Sequence, residues 1–358
     1  MSAVMTPERR ARLEEALLPP LVALIVALVA GDLLILSVHQ APGEVYALLL
    51  RGTWGNAYGF GQVLYKATTL TCTGLGVSVG LQAGLFNIGA ESQLAIGGFA
   101  AALIGLALPA GTPAALAVVA AMVGAMLAGG AAGWVPGVLR ARFGAHEVIT
   151  TIMLNFIILA LLNWAISTGL RVPATLHTPE VRTGALPQLS GILPAFHGSA
   201  ANLSLLLAIG AAAATWWYLF RARGGYDLRA VGLQPEAAEY GGVRVSSVWV
   251  RAMTLSGALA GLGGVNFVLG YKHYYEDGFA GGAGFLGIAV ALVGRNNPLG
   301  VVAAALFFAT LSQGGLAINA VVPKQMVDAL QGVVIIAVAA SVPEVRRLLR
   351  LGRRSAER

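Results

Sequence analysis

Three polar side chains interrupt an apolar stretch at residues 84–99, GLFNIGAESQLAIGGF. Asn87, Glu91 and Gln93 place one carboxylate and two amides where the neighbouring residues suit lipid. Such groups are costly at membrane depth unless they face partners, a cavity or water, so they indicate a pathway or hinge site. Asn87 and Glu91 would share one helix face, whereas Gln93 points elsewhere unless the helix breaks at a glycine. The alternative is a tight turn in which Asn87 caps the next helix and Glu91 complements the amino end of that helix.

A second polar pair lies in residues 146–164, HEVITTIMLNFIILALLNW. Asn155 and Asn163 are deep in this apolar stretch. Hydrogen bonding between helices explains them as well as contact with a transported solute does. Together with the three polar residues above, they form the candidate set for a translocation pathway or hinge.

Catalytic chemistry is not indicated by any motif. The five histidines and the single cysteine show no zinc-ligand spacing, and the chain has neither a phosphate-binding Walker loop nor a GxSxG nucleophile motif. We therefore predict no catalytic residue, no metal site and no cofactor in this chain, so that any energy from ATP must come from another chain.

The composition is that of a membrane protein. Hydrophobic residues make up 57% and charged residues 11% of the 358 residues, and the mean hydropathy is +0.76. The alternating pattern of a β-barrel is absent, which predicts an all-α membrane protein. The net charge of +7 does not indicate nucleic-acid binding, because the basic residues cluster between apolar stretches and mark sidedness.

Apolar runs long enough to cross a bilayer recur along the chain and predict a polytopic bundle of about ten transmembrane helices. The predicted spans are 17–38, 62–83, 87–108, 113–138, 146–168, 202–220, 247–269, 283–294, 299–319 and 325–342. The stretch at 281–300, GGAGFLGIAVALVGRNNPLG, has the same short, glycine-interrupted character as the stretch at 84–99. Paired interrupted spans of this kind indicate internal repeats in transport proteins.

The distribution of arginine favours cytoplasmic termini by the positive-inside rule. We predict one transmembrane domain over residues 1–358, with a cytoplasmic tail at 1–16, an outer loop at 169–201 and a basic cytoplasmic tail at 343–358. The inner loop at 221–248 differs from an ordinary linker. It opens with basic residues and a glycine pair, continues with the composition of short helices, and ends at a second glycine pair.

Four stretches in order along the chain resemble one family. They are GLFNIGAESQLAIGGF (84–99), HEVITTIMLNFI (146–157), LRAVGLQPEAAEYGGVRV…LSGALAGLGG (228–264) and GFLGIAVALVGRNNPLG (284–300). The sequence resembles permease subunits of bacterial ABC importers of the ribose and branched-chain amino acid type, in particular the nucleoside branch. Ser92 departs from the glycine usual in that family, and a serine fits a helix better, so the helix break there should be milder.

The resemblance implies a bacterial plasma-membrane location and an assembly of several chains. The expected partners are a second, homologous permease subunit, ABC ATPase subunits that bind ATP and magnesium, and a substrate-binding lipoprotein; the substrate would be a nucleoside or a related small polar solute such as a sugar. The resemblance also assigns 228–241 as the segment that couples to the ATPase. The coupling candidates are Arg229, Gln234, Pro235, Glu236, Glu239, Tyr240 and Gly241.

Three other classes remain open on the sequence alone. An ion- or proton-coupled secondary transporter would use Glu91 as a proton site, yet it gives the 221–248 loop no role. A channel or scaffold component would move solute passively or not at all. An integral membrane enzyme lacks a plausible set of acid, base and metal ligands.

Overall fold

The computed structural model of the protein describes residues 25–337 apart from Ala27. The chain forms two compact units. The larger unit is Asn56–Ala309, and the smaller unit combines the described residues on either side of it. The predicted tails at 1–16 and 343–358 lie outside the described residues.

The described part of the chain is built from helices. In chain order they are α1 (Leu28–Ser37), α2 (Pro42–Thr53), α3 (Ala57–Gln82), α4 (Ala90–Ala107), α5 (Ala114–Phe143), α6 (Glu147–Ala165), α7 (Ser204–Arg221), α8 (Arg223–Leu233), α9 (Pro235–Tyr240), α10 (Val245–Leu262), α11 (Gly264–Phe267), α12 (Ala283–Val293), α13 (Pro298–Ala317) and α14 (residues 324–337). The turns Ile166–Leu170 and Val268–Lys272 have π-helical geometry and extend α6 and α11.

Six of the described helical stretches are long and apolar enough to cross a bilayer, or seven if α1 and α2, which meet at 107°, form one broken span. The all-α membrane class is confirmed, but the predicted count of about ten is too high for the described residues. Two reasons lie in the larger unit: α3 carries too many polar residues, and α12 is only 11 residues long. The predicted spans at 17–38 and 325–342 extend beyond the described residues.

Local sequence signals explain where several helices begin and end. Before α3, the Asn56 side chain accepts a hydrogen bond from the Gly59 amide at 2.6 Å. Proline stands at the first turn of α2 and α9, where its missing amide proton costs nothing. Gly144 ends α5 in the left-handed conformation, with φ of 65°.

A glycine seam lets α5 and α10 pack backbone against backbone in the larger unit. A Cβ atom at Gly257 would clash with the Gly129 carbonyl oxygen, and one at Gly133 would clash with the Met253 carbonyl oxygen. Gly261 of α10 lies equally close to Gly97 of α4. Small residues permit this close approach in lipid, where dispersion contacts hold helices together.

The connection at 169–201 packs along the segment 273–282. The Thr178 amide donates to the Tyr275 carbonyl at 2.9 Å, and the Val181 amide donates to the His273 carbonyl at 2.7 Å. Tyr275 is 1% exposed beneath this connection. The segment that enters α12 is therefore held in place by an ordered connection.

The smaller unit has its own apolar core. Ile35, Val45 and Val327 are buried together with neighbours from α2 and the region after α13. Tyr46 of α2 donates to the Asp32 carboxylate of α1 at 3.0 Å, which links the two helices.

Candidate functional site

The chain reverses between α3 and α4 through residues 83–89. Gly84 adopts φ of 75°, a conformation that glycine reaches at little cost, and the Leu85 amide donates to the Gly80 carbonyl at 2.9 Å. Because α4 begins at Ala90, the predicted break in the stretch 84–99 lies before the carboxylate of Glu91 rather than after it.

The two amides of the opening stretch bond to each other. The Asn87 Nδ2 atom donates to Gln93 Oε1 at 2.7 Å, and Gln93 Nε2 donates back to Asn87 Oδ1 at 3.2 Å. Asn87 also donates to the Ser256 hydroxyl of α10 at 2.8 Å and accepts from the Gly89 amide at 2.9 Å. Asn87 and Gln93 are 0% and 2% exposed, so the break and the first turn of α4 form one buried polar joint with α10.

Helix α6 supplies the other side of the joint. The Asn155 Nδ2 atom donates to the Ile88 carbonyl at 2.9 Å, and its Oδ1 atom accepts from the Ser92 amide at 3.1 Å. The Thr151 hydroxyl accepts from the Ile88 amide at 3.3 Å. One amide side chain thus satisfies both a free carbonyl before α4 and a free amide in its first turn.

Glu91 joins α4 to α12. Its Oε1 atom accepts from the Gly282 amide at 2.8 Å, and its Oε2 atom accepts from the Gly284 amide at 2.7 Å. The side chain is in the first turn of α4 and reaches the first turn of α12, so one carboxylate complements the positive ends of two helices. The two stretches that echo each other in the sequence are therefore in direct contact.

The structure gathers four of the five pathway candidates. Asn87, Glu91, Gln93 and Asn155 lie together among α4, α6, α10 and α12, and all are buried. Asn163 lies apart, near the far end of α6, where its exposed side chain donates to the Asp277 carboxylate at 2.9 Å.

Sequence reasoning missed several members of this polar joint. Ser256, Thr151 and the backbone amides of Gly282 and Gly284 complete it. The glycine pair at 281–282 was the available signal for the contact with Glu91, because the free backbone amides at the start of a helix need a hydrogen-bond acceptor.

A second candidate site is the α8–α9 pair. Its inner face buries Leu228, Val231 and Ala238 against α3, α7 and α10. A Cβ atom at Gly232 would clash with the Gln82 carbonyl oxygen at the end of α3. Arg229 packs its guanidinium 5.2 Å from the centre of the Phe220 ring. The pair is thus firmly seated on three long helices.

The outer face of the pair is exposed. Most of the coupling candidates lie on it: Gln234, Pro235, Glu236, Glu239, Tyr240 and Gly241 are all exposed. Tyr240 is 98% and Leu233 is 88% exposed, an unusual environment for a leucine. Leu233 is a member of this surface that the sequence did not single out, because one leucine at the end of an amphipathic segment carries no signal of its own. Arg229 differs from the others, since it packs inward on Phe220.

A polar cleft of about 550 Å³ lies between α8 and the start of α10. It is lined by Arg223, Tyr226, Asp227, Gly241, Gly242, Val243, Arg244, Ser247, Val248 and Arg251. Arg251 holds the two elements together by donating to the Gly224 carbonyl at 3.3 Å and lying 3.8 Å from the Asp227 carboxylate.

These features define a multi-pass helical membrane protein with a buried polar joint among its helices and an exposed two-helix element packed on three further helices. Residues 59–339 match the family model described as branched-chain amino acid transport system, permease component. The chain belongs to this family of ABC transporter permeases.

Named relatives cover nearly the whole chain. The guanosine ABC transporter permease protein NupP of Bacillus subtilis is 37% identical over 333 residues, covering 91% of this chain and 93% of that protein. The nucleoside ABC transporter permease protein NupB of Lactococcus lactis is 32% identical, covering 90% of each chain. The glucose ABC transporter permease protein TsgB13 of Haloferax volcanii is 31% identical, covering 88% of this chain and 85% of that protein.

Proposed function

We propose that this chain is the permease subunit of an ATP-driven importer that moves nucleosides across a bacterial plasma membrane. The observation that carries the proposal is the α8–α9 pair: a small exposed surface fixed to α3, α7 and α10 in a chain of the ABC permease family. Such an element transmits a push without any catalytic group of its own.

In this proposal the exposed face of α8–α9 docks on a cytoplasmic ABC ATPase, which holds the ATP and magnesium. The side with 169–201 and 273–282 then faces outward and receives a substrate-binding lipoprotein, and both termini are cytoplasmic. A second, homologous permease subunit completes the membrane part. Closure of the ATPase would move α8–α9 together with the ends of α3, α7 and α10, because their side chains are packed as one cluster.

The polar joint around Asn87 has the role of a hinge in this proposal. Its amides, its carboxylate and Asn155 bond to one another, to the Ser256 hydroxyl of α10, or to backbone groups at the starts of α4 and α12, and all four side chains are buried. A hydrogen-bonded joint of this kind keeps α4 and α12 together while their neighbours tilt. Asn163 would tie α6 to the outward segment through Asp277.

The assignment of nucleosides rests on the relatives. The relatives from Bacillus subtilis and Lactococcus lactis are named for guanosine and nucleosides. A relative from Haloferax volcanii is named for glucose, so a sugar is the competing cargo.

The test is affinity purification of the full chain from its native membrane, followed by identification of bound proteins and of the solute held by the co-purifying binding protein. We expect an ABC ATPase, a second permease chain and a lipoprotein that binds a nucleoside. Purification of a stable, solute-transporting chain with no ATPase would contradict the proposal, and a lipoprotein specific for sugar would correct the cargo.

A further inference from the structure

One side of α3 carries polar side chains at half-buried positions. Between residues 61 and 80, every residue is buried except Leu64 and four polar ones. These are Gln62, Tyr65, Lys66 and Thr69, named here the α3 stripe. Their spacing of i, i+3, i+4 and i+7 places them on a single helix face.

Lipid is a poor environment for the α3 stripe. Lys66 lies about 13 Å along α3 from Ala57, at 1.5 Å per residue, so its ammonium group belongs to the body of the helix rather than to its first turn. By contrast, the exposed face of α6 is apolar except for Asn163 near its far end, as expected of a lipid-facing helix: its exposed large side chains are Ile149, Met153, Phe156, Ile157, Leu161 and Trp164. A polar face that is not fully buried indicates contact with water or a polar solute when it lies on a membrane helix.

Aromatic residues from another part of the chain border the stripe. The Tyr65 and Tyr271 rings lie 5.2 Å apart, and Phe267 lies 6.3 Å from Tyr271. Lys272 places its ammonium group 5.2 Å from the Tyr271 ring. Tyr271 and Lys272 belong to the π-helical turn Val268–Lys272, a geometry that is rare and found often at functional sites.

A buried hydrogen-bonded hub, formed by Asn266, Asn202 and Ser204, holds α3 beside the segment 267–272. Asn266 donates to the Tyr65 carbonyl at 2.9 Å and to the Thr69 hydroxyl at 2.8 Å. The Asn266 Oδ1 atom accepts from Asn202 at 3.0 Å and from the Ser204 hydroxyl at 2.6 Å. Because the hub is buried, it cannot contact solute itself; it positions the stripe beside Tyr271.

We propose that the α3 stripe, together with Phe267, Tyr271 and Lys272, lines the route of the solute and contacts its aromatic ring. This inference rests on the proposed import of nucleosides and names the surface that they meet. The tyrosine and phenylalanine rings offer stacking partners for a base. Gln62, Lys66 and Thr69 offer hydrogen bonds to the heteroatoms of the base and the sugar.

Thiol labelling tests whether the stripe meets water, and it needs neither transport nor ATP. Cys72 is the only cysteine of the chain and is buried, so Cys72→Ala supplies the background. Single cysteines replace Gln62, Lys66 or Thr69 in the assembled complex, and a charged methanethiosulfonate reagent probes them. Val63 and Ala67, buried on the same helix, and lipid-exposed Phe156 are the matched control positions.

We expect labelling at the stripe positions, little at the controls, and slower labelling when guanosine is added with the binding protein. Equal labelling rates at the stripe and control positions would overturn the proposal that the stripe lines the solute route. Labelling of the stripe in the isolated chain but not in the assembled complex would also overturn it, because the second permease would then cover the stripe. Labelling that guanosine leaves unchanged would overturn the contact with the base.

A substitution series tests the aromatic contact separately. Tyr271→Leu should lower the maximal nucleoside uptake by about fivefold or more, whereas Tyr271→Phe should retain it, because stacking needs the ring. Trp217→Leu, on the exposed face of α7, is the control. ATPase stimulation by the loaded binding protein should persist in every variant. Full uptake in Tyr271→Leu would overturn the aromatic contact, while absence of nucleoside uptake in the unmodified complex would instead refute the proposed function.

Discussion

The carboxylate of Glu91 illustrates how a charged residue can be accommodated at membrane depth. The backbone amides of Gly282 and Gly284, at the start of α12, donate to its two oxygens at 2.8 Å and 2.7 Å, and the side chain is 6% exposed. Hydrogen bonds to a charged group are stronger than neutral ones. Glu91 therefore stabilises the contact between α4 and the start of α12.

Replacing Glu91 by alanine should lower the free energy of unfolding by about 2 kcal/mol or more, because the Gly282 and Gly284 amides lose their acceptor in a buried site. Glu91→Gln should cost less, since one acceptor oxygen remains. Thermal unfolding of the purified protein in detergent measures both. Glu180→Gln, exposed in the connection at 169–201, is the control and should leave the midpoint unchanged. Equal midpoints for Glu91→Ala and the unmodified protein would show that the bridge contributes nothing.

Glycine positions matter at the scale of the helix pair. Along α5 and α10, a Cβ atom at Gly257 would meet the Gly129 carbonyl oxygen, so the two backbones would have to separate. At Gly210 of α7, a Cβ atom would have nothing within 4 Å. Both residues are glycines in apolar helices, and they differ in whether a Cβ atom would have room.

Gly257→Ala should destabilise the protein by about 1–3 kcal/mol through overpacking. Gly210→Ala should be neutral or slightly stabilising, because alanine favours the helix over glycine. The comparison uses the same detergent melting measurement on both variants. If both shift the midpoint equally, the seam is not a close contact.

The α8–α9 pair makes a prediction about assembly. Glu236 and Glu239 are exposed on its outer face, so reversing both to lysine should weaken binding of the partner ATPase by about tenfold, through lost charge complementarity. Pull-down of the ATPase against salt concentration measures this. The charge-matched control reverses Glu44 and Glu180, which are exposed elsewhere. Unchanged ATPase binding in the Glu236 and Glu239 double variant would remove this face from the interface.

Sequence patterns revealed the elements better than their pairings. The apolar run at 62–83 predicted a helix that the structure places at Ala57–Gln82, because hydrophobic periodicity is local. The polar residues at 84–99 could be recognised from the sequence because they interrupt a local apolar pattern. Their partners could not be recognised: Ser256 and Gly282 are far along the chain, and no periodic pattern connects them to Asn87 and Glu91. The predicted count of about ten transmembrane helices was too high for the described residues, in part because the apolar stretch 283–294 was counted as a span although α12 has only 11 residues.

At the scale of the whole molecule, the chain belongs to a family of ABC transporter permeases. The larger unit carries the polar joint, the α3 stripe and the α8–α9 pair. In the proposed importer, motion enters at α8–α9, passes through the helices that hold it, and changes access along α3, and each of these steps requires a companion ATPase.

The most direct measurement is uptake of a radiolabelled nucleoside into proteoliposomes that contain the complete complex. The binding protein is added outside the vesicles, and the ATPase faces the lumen. We predict accumulation when ATP is supplied to the ATPase, and none with a hydrolysis-deficient ATPase or with an ion gradient in place of ATP. Accumulation by this chain alone, driven by a proton or sodium gradient without nucleotide, would contradict the account.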